Sequence, residues 1–415
     1  FNHMKQLFRK GTNILFLILF FGLILSSVLY IFVFKEQQTV SFIENRNLYT
    51  TEHIFDTETL DDSFQTKVGR VLEDQFFMRY EIVNGKRKAN YFLTSLIFKI
   101  SSTETELTPL NDPNLFRVGD SNYIVTKPMV YEDRIETRVK ERLDQYADLQ
   151  AYFPDKHVYV YHPRQAHETD LFDEANELES YGTTLNQMMK DYARIPYKSL
   201  DIENLDYYKQ HFYAADHHWN HLGSYIGYRD MLSLLQPETT ALEPQYLDCN
   251  YKFYGSFSTR TGGILDPSDF CLFQFDLVDY TVEQDDGTIT DLKMYEEFYD
   301  QVESIDLWTY LYGLAYPFNG YMNTVRSGVN DKVLLLVGDS YMPPVIPLLA
   351  QHYGTVYAIN PVNYYIKYYK NFDFYSFIEE KGINDIMFMI TIENYFYDDE
   401  YGPRYKFNDV IREEE

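Results

Sequence analysis

The chain has 415 residues, 45% of them hydrophobic, and 63 acidic against 36 basic side chains give a formal net charge of −27. That is ample material for a large packed core and excludes a disordered tail, while the acidity argues against nucleic acid or an anionic lipid surface as partner, because Lys and Arg must supply contacts to phosphates. A neutral or cationic substrate fits better, and 40 tyrosines and 31 phenylalanines provide rings that can stack on sugar faces, although most such rings serve a core or a sheet.

Residues 14–34 carry no charge over 21 consecutive positions, enough for a helix of about 30 Å that crosses a bilayer. Lys5, Arg9 and Lys10 precede the run and an acidic chain follows it. The positive-inside rule therefore predicts a single-pass protein of the cell membrane, with residues 1–13 in the cytoplasm, 14–34 spanning, and the remainder outside. A cleaved signal peptide is the alternative, but its apolar core is usually shorter, about 7–15 residues. Residues 35–110 read as a stalk with docking helices and residues 111–415 as an extracellular catalytic domain.

Ile135, Val139, Leu143, Tyr146 and Leu149 recur at three and four positions and predict an amphipathic helix over residues 134–153, ended by Pro154. Residues 157–161 then read as a strand. Asn220 is a fitting N-cap for a helix that runs through Leu222, Tyr225, Ile226 and Met231. Further on, strands at 333–337, 355–359 and 386–390 alternate with helical segments at 345–353 and 374–380, which predicts an α/β fold with a largely parallel sheet flanked by helices.

Two motifs carry chemistry. Asp216-His217-His218-Trp219 places a carboxylate two residues before an imidazole; in an extended segment both point to one side, so Asp216 can orient His218. Gly338-Asp339-Ser340 follows the apolar run 333–337, and the turn beyond a buried strand is where α/β sheets present a nucleophile. Together they supply Ser340 as nucleophile, His218 as base and Asp216 as its orienting acid. A second copy, Gly119-Asp120-Ser121, follows a segment too polar for a central strand and reads as a turn between surface strands. The Ser340 N–H at the strand-to-helix turn is the first oxyanion donor, with Gly255 or Asn394 as the second, and Trp219, His217 and Tyr341 flank the site closely enough to meet substrate. A divalent metal among His211, His217, His218 and His221 is the competing reading; an N-cap at Asn220 leaves the last-loop histidines outside a helix, and the serine reading requires neither metal nor cofactor. Cys249 and Cys271 are the only cysteines, and an oxidising compartment permits a disulfide between them, two free thiols being the alternative.

In Asp216-His217-His218-Trp219 with its tail Asn220-His221-Leu222-Gly223, in Gly338-Asp339-Ser340, Glu44-Asn45-Arg46, Asp74-Gln75-Phe76-Phe77 with Arg79, and Phe253-Tyr254-Gly255-Ser256, the chain resembles the DHHW proteins of Gram-positive bacteria, relatives of the alginate O-acetylation enzymes. The resemblance implies an SGNH-hydrolase-like fold in which the Asp-x-His element precedes the serine, a circularly permuted order. It places the catalytic pair at Asp216 and His218 and puts His217 at a variable position. It further implies a membrane-anchored O-acyltransferase that works beside a multispanning membrane-bound O-acyltransferase and acylates hydroxyls of an extracellular glycopolymer. An esterase with the same triad, or a silent polymer-binding scaffold, are the alternatives.

Overall fold

A computed structural model describes residues 13–22, 25–26, 37, 40–41, 46–55, 63–76, 79–101, 107–110, 112–172, 180–261, 263–285, 287–290, 311–316, 318, 321–368 and 371–395. The chain divides into two compact units, Phe1–Leu93 with Thr259–Ile264, and Thr94–Ser258 with Leu265–Glu415.

The second unit is built on a sheet of β1 (His157–His162), β2 (Tyr197–Ser199), β3 (Thr281–Gln284), β4 (Ile289–Thr290), β5 (Met322–Arg326), β6 (Val333–Gly338), β7 (Thr355–Ile359) and β8 (Asp385–Met389). Their order is β4-β3-β5-β7-β6-β8-β1-β2. From β7 to β2 every neighbour is parallel, whereas β5 pairs antiparallel with β7, β3 with β5, and β4 with β3. The sheet is therefore mixed. Only the outermost pair, β3 with β4, has a local cause: Gly287, at φ +81°, allows a tight reversal in which its N–H donates to the Gln284 carbonyl at 3.0 Å and the Gln284 N–H to that of Thr288 at 2.9 Å.

The parallel part explains the apolar runs of the sequence. Leu334 and Leu336 of β6 enter one core while Leu335 and Val337 enter the other, and β8 divides in the same way into Met387 and Met389 against Ile386 and Phe388. A sheet covered on both faces needs apolar residues at every position. One face is covered by helix His221–Leu235 through Tyr228, Met231 and Leu232. The other is covered by helix Asp133–Tyr152 through Ile135, Val139, Leu143 and Tyr146, and by helix Phe374–Lys381 through Phe374 and Ile378. Each such side chain contributes about 1.5–3 kcal/mol by leaving water. The chain leaves β6 for β7 on one side and then crosses back to β8 on the other, so the carboxyl end of β6 is a topological switch point, with Ser340 two residues beyond it.

The membrane span predicted over residues 14–34 is corrected. Among the described residues no helix is long and apolar enough to cross a membrane. The described helical stretch 13–22 would reach about 15 Å at 1.5 Å per residue, about half of the hydrocarbon thickness, and residues 27–34 lie outside the described residues. The absence of charge registers composition, not helix length. The single-pass topology, the division into cytoplasmic and extracellular parts and the cell-membrane location rested on that span, and none of them is supported.

In the first unit, helix Phe64–Asp74 is capped by Ser63, whose hydroxyl accepts the Thr66 N–H at 3.3 Å. Buried Asp74 accepts the Tyr49 N–H at 2.9 Å, and the Gln75 amide donates to the Tyr49 carbonyl at 3.0 Å. The residues of the Asp74-Gln75 motif thus clamp a neighbouring segment. Glu44, Asn45 and Phe77, from the same set of motifs, lie outside the described residues.

Cys249 and Cys271 form a disulfide across the hairpin Tyr246–Phe253 and Ser268–Gln274, beside the register irregularity between Asp248 and Tyr251. Reduction, or Cys249→Ser, should lower stability by about 2–4 kcal/mol, as expected for a short loop. Chemical denaturation with and without a phosphine reductant measures this, and an unchanged midpoint would refute it.

Candidate active site

The loop that carries Asp216 and His218 is fixed at both ends. Helix Leu205–His211 precedes it, Phe212 and Trp219 form an antiparallel bridge across its base, and the Asn220 N–H donates to the His211 carbonyl at 2.9 Å. Asn220 then caps helix His221–Leu235, its side-chain oxygen accepting the N–H groups of Leu222 at 2.9 Å and Gly223 at 3.2 Å. Trp219 is wholly buried against that helix, where a Cβ on Gly227 would lie 2.4 Å from the indole. The loop therefore cannot drift from its helix.

Within the loop, Asp216 and His218 meet by a route different from the extended segment that their spacing predicts. Residues 214–218 turn, and Asp216 Oδ1 accepts both the backbone N–H of His218 at 2.8 Å and its Nδ1 at 2.6 Å. This is an Asx turn, and it sets the imidazole by two bonds to one oxygen. The other oxygen accepts the Ser256 N–H at 2.6 Å. Gly255 makes that approach possible: its φ is +69°, and a Cβ there would sit 2.5 Å from the Ala215 carbonyl oxygen and 2.6 Å from Asp216 Cβ. Burial alone would raise the Asp216 carboxyl, but the neighbouring charges of His218 and His217, the bond to His218 and the Ser256 N–H hold it well below the usual carboxylate range.

His218 Nε2 lies 2.7 Å from Ser340 Oγ, so Asp216, His218 and Ser340 form one line of hydrogen bonds. Asp339 fixes the turn that presents the serine. Its Oδ1 accepts the Tyr341 N–H at 3.1 Å, and its Oδ2 accepts the Thr391 N–H at 2.9 Å, the Thr391 hydroxyl at 2.7 Å and the Asn394 amide at 2.8 Å. One buried carboxylate thus ties the end of β6 to the segment beyond β8. Tyr312 stacks on the His218 ring with centroids 4.1 Å apart and donates from its hydroxyl to the Ser340 carbonyl at 3.0 Å.

The other predicted residues divide by place. Trp219 and Tyr341 are buried and support the loop: their rings meet at 5.3 Å, and the Tyr341 hydroxyl donates to the His217 carbonyl. His217 is half-buried, with Nδ1 2.9 Å from Ser256 Oγ and its ring beside His218 at 3.8 Å. The Asn394 amide is directed at Asp339 and, at 2.9 Å, at the Thr391 hydroxyl; Gly255 serves the approach to Asp216. The N–H groups of Tyr341 and Met342 are also engaged by Asp339, which leaves the Ser340 N–H as the turn's donor. Ser121 bonds the Val118 carbonyl at 2.6 Å in a turn between strands Leu115–Val118 and Ile124–Thr126, which bury Leu115, Val118, Ile124 and Val125 and leave Phe116, Arg117 and Thr126 half-buried. Asp216, His217 and His218 bring possible metal ligands within 4.8 Å of one another, yet both His218 nitrogens are already engaged by Asp216 and Ser340; His211 and His221 do not join that group among the described residues. Tyr312 and Ser256 are the site residues that sequence reasoning missed, the first because no motif surrounds it, the second because its contribution is a backbone N–H.

His221, at the start of its helix, is pushed down to about 4, first by burial and then by the charge of His211. Between that value and the ordinary 6.5 the unfolded chain binds more protons than the folded one, so His221 makes stability fall as pH drops from 6.5 to about 4. His221→Phe should flatten that part of the stability profile, measured by urea unfolding across the window; identical slopes in the two proteins would rule the effect out.

No protein-family model matches the chain, and no curated protein matches it. Among solved structures it is similar to PatB1 of Bacillus cereus, determined with a sulfonyl adduct, at 15% identity and a TM-score of 0.51 over 71% of this chain and 98% of that one. It is likewise similar to a DHHW family protein of Eubacterium siraeum, at 15% identity and a TM-score of 0.50 over 71% of this chain and 95% of that one. At such identities the likeness establishes architecture alone: the chain shares the α/β fold of these two proteins, and its own sheet is mixed.

Proposed function

We propose that this protein is an acyl-transfer enzyme in which Ser340 is the nucleophile, His218 the general base and Asp216 the residue that orients it, and that its acceptors are hydroxyls of a carbohydrate polymer. The observation that carries this reading is the continuous line of bonds, 2.6 Å from Asp216 to His218 and 2.7 Å from His218 to Ser340, at the switch point of the sheet. A neutral serine is a weak nucleophile. His218 Nε2 takes its proton as Oγ attacks the acyl carbonyl, Asp216 holds the proton on Nδ1, and the Ser340 N–H faces the oxyanion. The tetrahedral intermediate collapses as His218 returns the proton to the leaving group. An acceptor hydroxyl then loses its proton to His218 and attacks the acyl-serine, and His218 gives that proton to Ser340 Oγ as it leaves, which regenerates the free enzyme. The sulfonyl adduct on PatB1 of Bacillus cereus supports the reading to the extent that a protein of this fold takes up an electrophile.

Esterase action differs only in that water is the second acceptor. The resemblance assigns the acyl donor to a multispanning O-acyltransferase, which a small activated acetyl ester replaces in an assay. The protein is acylated with that ester, then divided between buffer and a neutral oligosaccharide, and the products are separated by mass. Acetylated sugar formed in preference to free acetate supports transfer; acetate alone, at an unaltered rate of acyl-enzyme decay, would make the protein an esterase.

A further inference from the structure

Apart from the Ser340 line of bonds, the second unit contains a cavity of about 440 Å³, within the range of about 300–1,000 Å³ in which small ligands are held. Its lining includes both arms of the Asp216–His218 loop, Tyr213 and Ala214 before the catalytic pair and Asn220 and His221 after it. The lining also includes Asn122 and Tyr123 of the turn that carries Ser121, and Lys252 and Asp269 of the hairpin.

We infer that this cavity is a subsite for a neutral, hydroxyl-rich segment of the acceptor, a saccharide unit of the polymer held beside the nucleophile. The inference deepens the acyl-transfer reading and rests on it for the identity of the ligand as acceptor. Charge selects against an anion. Lys252, the cavity's one Lys or Arg among the described residues, is paired with Asp269, and burial keeps the His221 imidazole neutral. The remaining chemistry is uncharged: the ring of half-buried Tyr123 and the hydroxyls of Ser121 and Ser268. A ring for a C–H face and neutral donors or acceptors for hydroxyls are what a sugar requires.

The cavity is also close to the chemistry. Tyr213 meets Tyr312 edge to face at 6.3 Å, and Tyr312 stacks on His218 and bonds the Ser340 carbonyl. Two ring contacts therefore separate the cavity wall from the reacting atoms, and the proposal requires a polymer with one unit in the cavity to span that separation with a neighbouring hydroxyl. Acceptors too short to reach the cavity gain nothing from it.

Asn122→Trp fills the cavity from a turn outside the catalytic line. Three neutral tetrasaccharides, cellotetraose, maltotetraose and tetra-N-acetylchitotetraose, serve as probes, with glycerol as a short acceptor. At least one tetrasaccharide should bind the Ser340→Ala protein saturably by titration calorimetry, and the Ser340→Ala, Asn122→Trp protein should lose that binding at least tenfold. In the enzyme with Ser340 intact, Asn122→Trp should raise the KM of the bound tetrasaccharide about tenfold, leaving kcat, the rate of Ser340 acylation and transfer to glycerol unchanged. Failure of Ser340 to acylate would remove the acyl-transfer reading while the calorimetry still decides the subsite. Normal acylation with no tetrasaccharide binding, or with a KM indifferent to Asn122→Trp, overturns the subsite alone.

Discussion

His218→Ala and Ser340→Ala should each slow acylation by a small activated ester at least about 10³-fold, while His217→Ala costs no more than about tenfold. The two histidines are adjacent and their rings touch, so the difference tests geometry and not neighbourhood. His218 has one nitrogen on Asp216 and the other on Ser340; His217 directs Nδ1 at Ser256. Because residues that act as one unit are not additive, the double variant His218→Ala, Ser340→Ala should be scarcely slower than either single one. Single-turnover rates measure all of this. Equal losses for His217 and His218, or two single losses that multiply, would separate the residues that we place in one relay.

Gly255→Ala should destabilise the fold by about 1–3 kcal/mol and slow acylation about 10²-fold, although the glycine touches no substrate. Its φ of +69° is costly for any other residue, and the added Cβ would meet the Ala215 carbonyl and Asp216 Cβ. The chain must then withdraw, and the Ser256 N–H leaves the Asp216 carboxylate. Two neighbouring variants separate this from mere strain. Ser256→Ala keeps the backbone donor and should retain most activity, whereas Ser256→Pro removes the donor and should resemble Gly255→Ala in rate. Calorimetric unfolding beside the same rate assay measures both effects, and a slow Ser256→Ala with a fast Ser256→Pro would reverse the roles of hydroxyl and backbone.

The parts of the fold that could be read in the sequence are those whose physics is local. Strands β1, β6, β7 and β8 lie within a residue of their apolar runs because a doubly covered strand keeps its polar residues to its ends, as His157, His162 and Asp385 show. Asn220 reads correctly as an N-cap because capping depends on one side chain and the two or three residues after it. The antiparallel strands at Thr281–Gln284 and Met322–Arg326 were not legible, since their mixed composition gives no period and their pairing is set by partners far along the chain. The charge-free run 14–34 misleads for the opposite reason: it is a clear local pattern, yet no described helix in it has the length of a span. At the site, side chains in motifs were legible and backbone donors were not. Ser256 lies in the Phe253-Tyr254-Gly255-Ser256 motif, but its N–H on Asp216 emerges only when the fold brings residues 40 positions apart together. Trp219 and Tyr341 stand beside the catalytic residues in sequence and prove to be buried supports.

The most direct test of the central claim is to locate the acyl group. The protein is incubated briefly with an activated acetyl ester, quenched in acid and digested, and the adduct is mapped by peptide mass spectrometry; a sulfonyl fluoride serves as a second, irreversible label. One acyl group per chain is expected, on Ser340, absent from Ser340→Ala and much diminished in His218→Ala. An adduct on Ser121, on a cysteine or on His217, or labelling that survives Ser340→Ala, would contradict it.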